Sequence, residues 1–300
     1  MEQRLKLFAN LIDAGSFTAA AQQLRISQPA LSSSIKKLER ELGGPLLERK
    51  DFSLTEAGQL AYTAGKKLHI DELNLETALA ELAGRKAQLR IGMIDSLAEI
   101  LFVRGNAYDQ VAETASLALS IDNSARLVRQ LADGAIDLAF VVADIDYPAG
   151  LIVHQKLGDE PLMLVTSPAQ QPLIAQASRS GVLREFLSYN EGSHTQRLVR
   201  RAAASGGLAL ETRFHATSPN IMLAMVMAGK GVAALPYHMV AEHIGRASLL
   251  PIAINGSYVI KRPMIALTRK GRALPAGADL LAATTEAALK SLSASAKRRA

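Results

Sequence analysis

The sequence predicts a multidomain α/β protein: an N-terminal winged helix-turn-helix, a long linker helix and a two-lobed α/β domain. Three observations carry that expectation. In residues 1–58, short apolar stripes at helical spacing alternate with polar caps and glycine turns. Residues 55–83 continue as one proline-free helical pattern. From Leu89 onward strands alternate with helices, and this pattern occurs twice. The expected boundaries are 1–58 for the winged helix-turn-helix, 59–87 for the linker and 88–293 for the two-lobed domain, with a basic tail at 294–300. Lobe I takes about 88–162 and 268–293, and lobe II about 163–267. A chain of 300 residues, 49% hydrophobic and 21% charged, has ample core for this division.

In the head, Leu5, Phe8, Leu11 and Ile12 form one apolar helical face. Gly15-Ser16 interrupts it, and Ser16 suits the N-cap of a helix ending near Leu24, whose Ala19-Ala20-Ala21 run favours helix and close packing. Ser27 is a second N-cap, and Pro29 falls in the first turn, where its missing N–H costs little. Leu31, Ile35, Leu38 and Leu42 then repeat as a buried stripe, ended by Gly43-Gly44-Pro45. Leu46-Leu47 and Leu54 flank the polar tip Arg49-Lys50-Asp51, the pattern of a small β-hairpin.

Thr55-Glu56 begins the linker helix. Leu68, Leu75 and Leu82 alternate with Ala64, Asp71 and Ala78 as a heptad seam broken by one acid. So short a seam fits either a dimerising helix or a connector packed on its own domain. Beyond it, residues 89–94 form a strand, Leu117, Leu119 and Ile121 alternate as another, 124–132 read as a helix, and 136–142 as a strand buried on both faces. The second unit is a helix at 219–228, a Gly229-Lys230-Gly231 turn and a strand at 232–235. The alternation implies a mainly parallel sheet, with residues 162–167 and 265–268 crossing between the lobes. A helix over 278–292 closes the domain, and the tail after it is expected to be disordered.

Net charge is +6, yet residues 1–58 hold eight Lys/Arg against seven Asp/Glu, a difference of only +1. Bulk charge therefore does not mark a DNA-binding head, and local placement must do so. The absence of cysteine removes disulfides and thiolate metal sites. No signal-like stretch opens the sequence, and no segment approaches the roughly 20 apolar residues of a membrane span. The expected location is cytoplasmic, with no membrane partner.

Placement does point to DNA. The two helices over 16–24 and 27–39 fit a helix-turn-helix, the second lying in the major groove with its N-terminal residues at base edges. Gln28, Ser32, Ser33 and Ser34 offer short hydrogen-bonding groups on the exposed face, Lys36 and Lys37 are placed for phosphates, and residues 27–38 hold no acid. The candidate contacts to double-stranded operator DNA are Thr18, Ser27, Gln28, Pro29, Ser32, Ser33, Lys36 and Lys37. Arg49 and Lys50 at the hairpin tip would reach the flanking backbone as a wing.

At these residues the sequence resembles the LysR-type transcriptional regulators. The match runs through Phe8, Gly15-Ser16-Phe17, Ala19-Ala20-Ala21, Leu24, Ser27-Gln28-Pro29-Ala30-Leu31-Ser32, Ile35, Leu38-Glu39, Leu42-Gly43, Pro45-Leu46, Glu48-Arg49 and Leu54-Thr55-Glu56-Ala57-Gly58. It continues more weakly at Gly134-Ala135-Ile136-Asp137-Leu138-Ala139 and at residues 228–236. The resemblance implies a winged helix-turn-helix, a dimerising linker helix, an effector domain like the periplasmic binding proteins, and dimers or tetramers that answer to a small ligand. The chain departs from the family where the wing is about two residues short and lacks a second arginine, at Ser33 where a longer polar residue is frequent, and at Leu47 where Phe is usual. Fewer phosphate contacts follow from those departures.

In two-lobed α/β domains, ligands bind at the C-terminal ends of strands, near helix N-termini with free N–H groups. The resemblance implies that four loops of this chain line such a cleft, and the candidate effector contacts are Ser96, Asn123, Ser124, Ser193, His194, Thr217 and Ser218. Each Ser, Thr or Asn serves equally well as a plain N-cap. Helix N-termini favour an anionic effector such as a carboxylate, while Asp95 and Glu191 weigh against a strongly negative one. Enzyme readings lack support: no Gly-x-Ser-x-Gly elbow, no phosphate-binding Gly-x-x-x-x-Gly-Lys-Ser/Thr loop and no Gly-x-Gly-x-x-Gly follows a strand. His238 and His243 are five apart, poor spacing for one helical face, and His194 beside Ser193 has no orienting acid. Neither catalytic residue, cofactor nor metal is expected. The alternatives are a small-molecule binding protein or enzyme whose head is a protein-interaction module, and a DNA-binding protein whose cleft serves assembly alone.

Overall fold

Capping side chains set the helices of the head. Ser16 Oγ accepts the Ala19 N–H at 3.2 Å, and Ser27 Oγ accepts the Ala30 N–H at 3.3 Å. The computed structural model describes residues 1–48, 51–148 and 150–299. It places α1 at Glu2–Ala14, α2 at Phe17–Leu24 and α3 at Gln28–Leu42. Phe8, Leu11, Leu31 and Leu38 are fully buried where the three helices meet. Leu42 leaves the expected stripe. It is 41% exposed, beside the Gly43 that ends α3 in the left-handed conformation (φ 82°), past the reach of the small core. Leu47 and Leu54 pair antiparallel at the base of the expected hairpin. Its tip, Arg49 and Lys50, lies outside the described residues.

The linker, α4 (Glu56–Leu82), starts at Thr55, whose Oγ1 accepts the Gly58 N–H at 2.9 Å. It lies so close to α1 that a Cβ at Gly65 would overlap the Leu5 carbonyl oxygen. Lys66 joins three parts of the chain: its Nζ sits 2.7 Å from Asp13 of α1 and donates to the Ala132 carbonyl of the first lobe. The heptad seam divides in two. Ala64 and Leu68 pack against the head, whereas Leu75 and Leu82 are 60% and 85% exposed.

Lobe I is built from β1 (Ala87–Met93), α5 (Asp95–Ala98) running into a π-helical turn (Glu99–Val103), α6 (Ala107–Ala112), β2 (Ala115–Ile121), α7 (Ser124–Ala132) and β3 (Leu138–Val142). The long β4 (Ile152–Thr166) leads into lobe II. There α8 (Gln171–Ser180), β5 (Val182–Tyr189), α9 (His194–Ser205), β6 (Ala209–Ala216), α10 (Pro219–Met227), β7 (Val232–Pro236), α11 (Tyr237–Gly245) and β8 (Leu250–Ile252) follow. The return strand β9 (Ile260–Arg269) and α12 (Ala278–Arg299) complete the chain. The described strands join in the order β2-β1-β3-β9-β4-β7-β5-β6, with β8 beside β4.

Pairing corrects three expectations. The outer strands of each lobe are parallel, as the βαβ pattern requires, but β4 and β9 run antiparallel to their neighbours through the middle. The crossings lie elsewhere than expected. Residues 162–166 already pair with β7 in lobe II, and 264–268 already pair with β3 in lobe I. Apolar runs mark the strand portions buried within a lobe, while the crossing carries Asp159, Glu160, Lys261 and Arg262. The tail is also ordered: α12 continues to Arg299. Leu289 packs in the core of lobe I and Ala296 in that of lobe II, so one amphipathic helix fastens both lobes.

Candidate functional site

Two surfaces concentrate the residues singled out in the sequence. On α3, Gln28, Pro29, Ser33, Lys36 and Lys37 are exposed and Ser32 is half-buried, while Leu31, Ile35 and Leu38 face the core. Gln28, Ser32 and Lys36 stand at i, i+4 and i+8 and so share one helical face. Thr18 on α2 is exposed. Ser27 spends its side chain on the cap and sets where α3 begins. The turn before it places Arg25, exposed and left-handed (φ 53°), between the two helices, a position that sequence reasoning passed over.

The second surface is a cleft of about 720 Å³ between the lobes, and all seven expected residues line it: Ser96, Asn123, Ser124, Ser193, His194, Thr217 and Ser218. The N-termini of α7, α9 and α10 open onto it. Capping and lining coincide at two positions. Asn123 Oδ1 accepts the Arg126 N–H at 3.0 Å, and Ser193 Oγ accepts the Gln196 N–H at 3.1 Å. Ser124 Oγ instead accepts the Val142 N–H at 3.2 Å and ties α7 to β3. His194 lies 2.5 Å from Arg197, and burial followed by that guanidinium lowers its pKa, so the ring is neutral at pH 7.

The sequence reading missed the floor of the cleft. Arg262 of β9 stands opposite Glu160 of β4 in register, and both are buried at the crossing. Arg262 Nε donates to Glu160 Oε2 at 3.0 Å, Nη1 to Thr195 Oγ1 at 3.0 Å and Nη2 to Ser96 Oγ at 2.8 Å. Burial alone would favour loss of the Arg262 proton, but Glu160 holds the group charged. Tyr189 is buried beside Arg262, and burial pushes its hydroxyl up to about 12 although the guanidinium pulls the other way. Behind the pair, His238 Nδ1 lies 4.0 Å from Glu160 and Nε2 3.5 Å from Glu99. Burial keeps its pKa below the usual histidine value despite both carboxylates. The available signal was charge where each strand leaves its apolar run, at Asp159-Glu160 in β4 and Lys261-Arg262 in β9. Among the described residues no group of three His, Asp or Glu side chains could hold a metal ion.

Family models agree with this division. Residues 3–59 match the bacterial regulatory helix-turn-helix protein, lysR family, and residues 83–290 match the LysR substrate binding domain. A HTH-type transcriptional regulator CbbR of Xanthobacter flavus is 28% identical over 93% of this chain and 85% of its own. A probable nitrogen assimilation transcriptional activator of Synechococcus elongatus is 30% identical over 84% of each chain. Among solved structures, ArgP from Mycobacterium tuberculosis has the same fold, with a TM-score of 0.67 at 22% identity over 95% of this chain and 96% of its own. Full-length LysG from Corynebacterium glutamicum, with the effector Arg bound, superposes with a TM-score of 0.62 at 19% identity over 97% and 98%. The chain belongs to the LysR family of bacterial helix-turn-helix regulators: a DNA-binding transcription regulator with an effector-binding domain.

Proposed function

We propose that α3 reads operator DNA through Gln28, Ser32 and Ser33 at base edges and Lys36 and Lys37 at phosphates, in response to a small carboxylate held between the lobes. The observation that carries the effector half is the convergence of four separate loops on one cleft of about 720 Å³. Three helix N-termini and Arg262 there favour an anion, and Asp95, Asp122 and Glu191 at the same cleft favour one of low charge. The protein acts by binding, not by catalysis, and does so in the cytoplasm. No described helix is long and apolar enough to cross a membrane.

A genome-wide map of fragments bound by the purified protein, at moderate salt with competitor DNA, tests the DNA half. Discrete sites sharing an inverted repeat are expected, and binding without sequence preference would overturn the assignment of α3. For the cleft, thermal-shift screening against metabolites should find a carboxylate whose effect disappears in Ser124→Trp, which fills the entrance of α7.

Self-association belongs to the same reading. Leu75, Leu79 and Leu82 leave an apolar stripe on α4 that this chain does not cover. A second copy of α4 would cover it and pair two recognition helices for a repeated half-site. The double change Leu75→Glu, Leu82→Glu is expected to give a monomer by sedimentation and to weaken operator binding at least about tenfold, without loss of secondary structure. An unchanged oligomer would leave α4 as a connector only.

A further inference from the structure

A second cavity, of about 430 Å³, lies between the C-terminal half of α4 and the start of β1, away from the effector cleft. At its base one carboxylate meets three guanidinium groups. Asp137 is fully buried and accepts from Arg90 Nε at 3.0 Å and Nη2 at 2.9 Å, from Arg272 Nε at 3.1 Å, and lies 3.4 Å from Arg269 Nη2. These donors and the Arg90 backbone N–H saturate its two oxygens. Arg90 Nη1 and Arg272 Nη2 are left with no hydrogen-bond partner among the described residues. Both arginines line the cavity, as does the exposed Arg85.

Charge decides what such a cavity would take. Its lining holds Arg85, Lys86, Arg90 and Arg272 against Glu76 and Asp137, an excess of two positive charges. Arg269 adds a fourth guanidinium behind them, where burial, then Arg90 and Arg272, outweigh Asp137 and pull its pKa down to about 10. A phosphate monoester carries about −1.5 to −2 at pH 7 and accepts from several directions at once, whereas a carboxylate supplies half that charge in one plane. Leu73, Leu79 and Ala80 wall the rest of the space, leaving room for an organic portion.

We propose that this cavity is a second ligand site that takes the phosphoryl group of a small phosphorylated metabolite between Arg85, Arg90 and Arg272. Its occupant acts on the linker. Arg272 also donates to Asn74 Oδ1 at 3.0 Å and Thr77 Oγ1 at 3.1 Å on α4, and Asn74 Nδ2 donates to the Gly271 carbonyl at 2.9 Å. An anion engaging Arg272 therefore changes the contact through which lobe I holds the helix that bears the DNA-binding head.

The test is thermal unfolding of the full-length protein in inorganic phosphate, titrated through the millimolar range with chloride keeping ionic strength constant. Wild type should show a saturable rise in Tm. Arg85→Gln, on the exposed mouth, should shift the midpoint about tenfold upward in phosphate. Ala80→Glu, which sets a negative charge on the cavity wall, should abolish the response. Lys36→Gln, Lys37→Gln, which removes phosphate-binding charge from α3, should keep it. A rise matched by chloride alone overturns the proposal, as does a response retained by both cavity variants. Loss of the response only in the α3 variant would place phosphate at the DNA surface and overturn it equally.

Discussion

Glu160→Ala is expected to destabilise the protein by roughly 3–5 kcal/mol, the cost of breaking a buried ion pair by removing one partner. Glu160 has no solvent exposure, and among the described residues its carboxylate is the one that Arg262 contacts. Without it the guanidinium stays buried beside the hydroxyls of Ser96, Thr195 and Tyr189, none of which balances its charge. Replacing both partners, as Glu160→Met with Arg262→Met, should recover most of that loss, since neither charge then needs a partner. Denaturant unfolding of the wild type and the two variants measures this difference. Equal stability of Glu160→Ala and wild type would mean that the pair contributes nothing to the join between the lobes.

The same substitution has a pH signature through His238. Its folded pKa is already lowered by burial, with Glu160, Glu99 and Glu99's hydrogen bond raising it and Arg104 lowering it further. Below a histidine's unfolded value of about 6.5, the unfolded chain takes up the proton before the folded one does. Stability is therefore greatest above that pH and falls as pH drops through it. Removing Glu160 removes one of the groups that raise the folded value, so the variant should lose stability more steeply between neutral and mildly acid pH.

How much of this could be read from the sequence depended on whether the signal was local. Ser16, Ser27 and Thr55 were legible because a cap is decided within three residues, and each structure element begins where its hydroxyl stands. The four cleft loops were legible for a similar reason: each sits between a strand end and a helix start. Arg262 and Glu160 are 102 positions apart, and nothing near either one announces the other. The crossings were misplaced because apolarity reports burial and not the partner strand, which only the register reveals. The C-terminal helix was cut short at Leu292 because Lys and Ser suggested a tail. Ala296 buries a small face that hydropathy barely registers, and α12 persists because lobe II receives it.

The larger functional effect is expected from Gln28→Ala, Ser32→Ala, Lys36→Ala made together on α3. Gln28 and Lys36 are exposed and Ser32 half-buried, so the core beneath them should be unaffected, and alanine favours the helix. Each specific base contact contributes about 1–3 kcal/mol of discrimination, and a lysine–phosphate contact adds about one unit to the salt slope. Specific affinity should fall on the order of 100-fold or more, with a shallower salt dependence, while the far-ultraviolet spectrum and the carboxylate response of the cleft stay intact. Ser27→Ala provides the contrast. It removes a cap worth about 1 kcal/mol, so its loss of binding should track a loss of stability in the head. Affinity that survives the triple change would mean that α3 does not enter the groove. Lost ligand response with retained DNA binding would instead mean that the two domains had been given each other's roles.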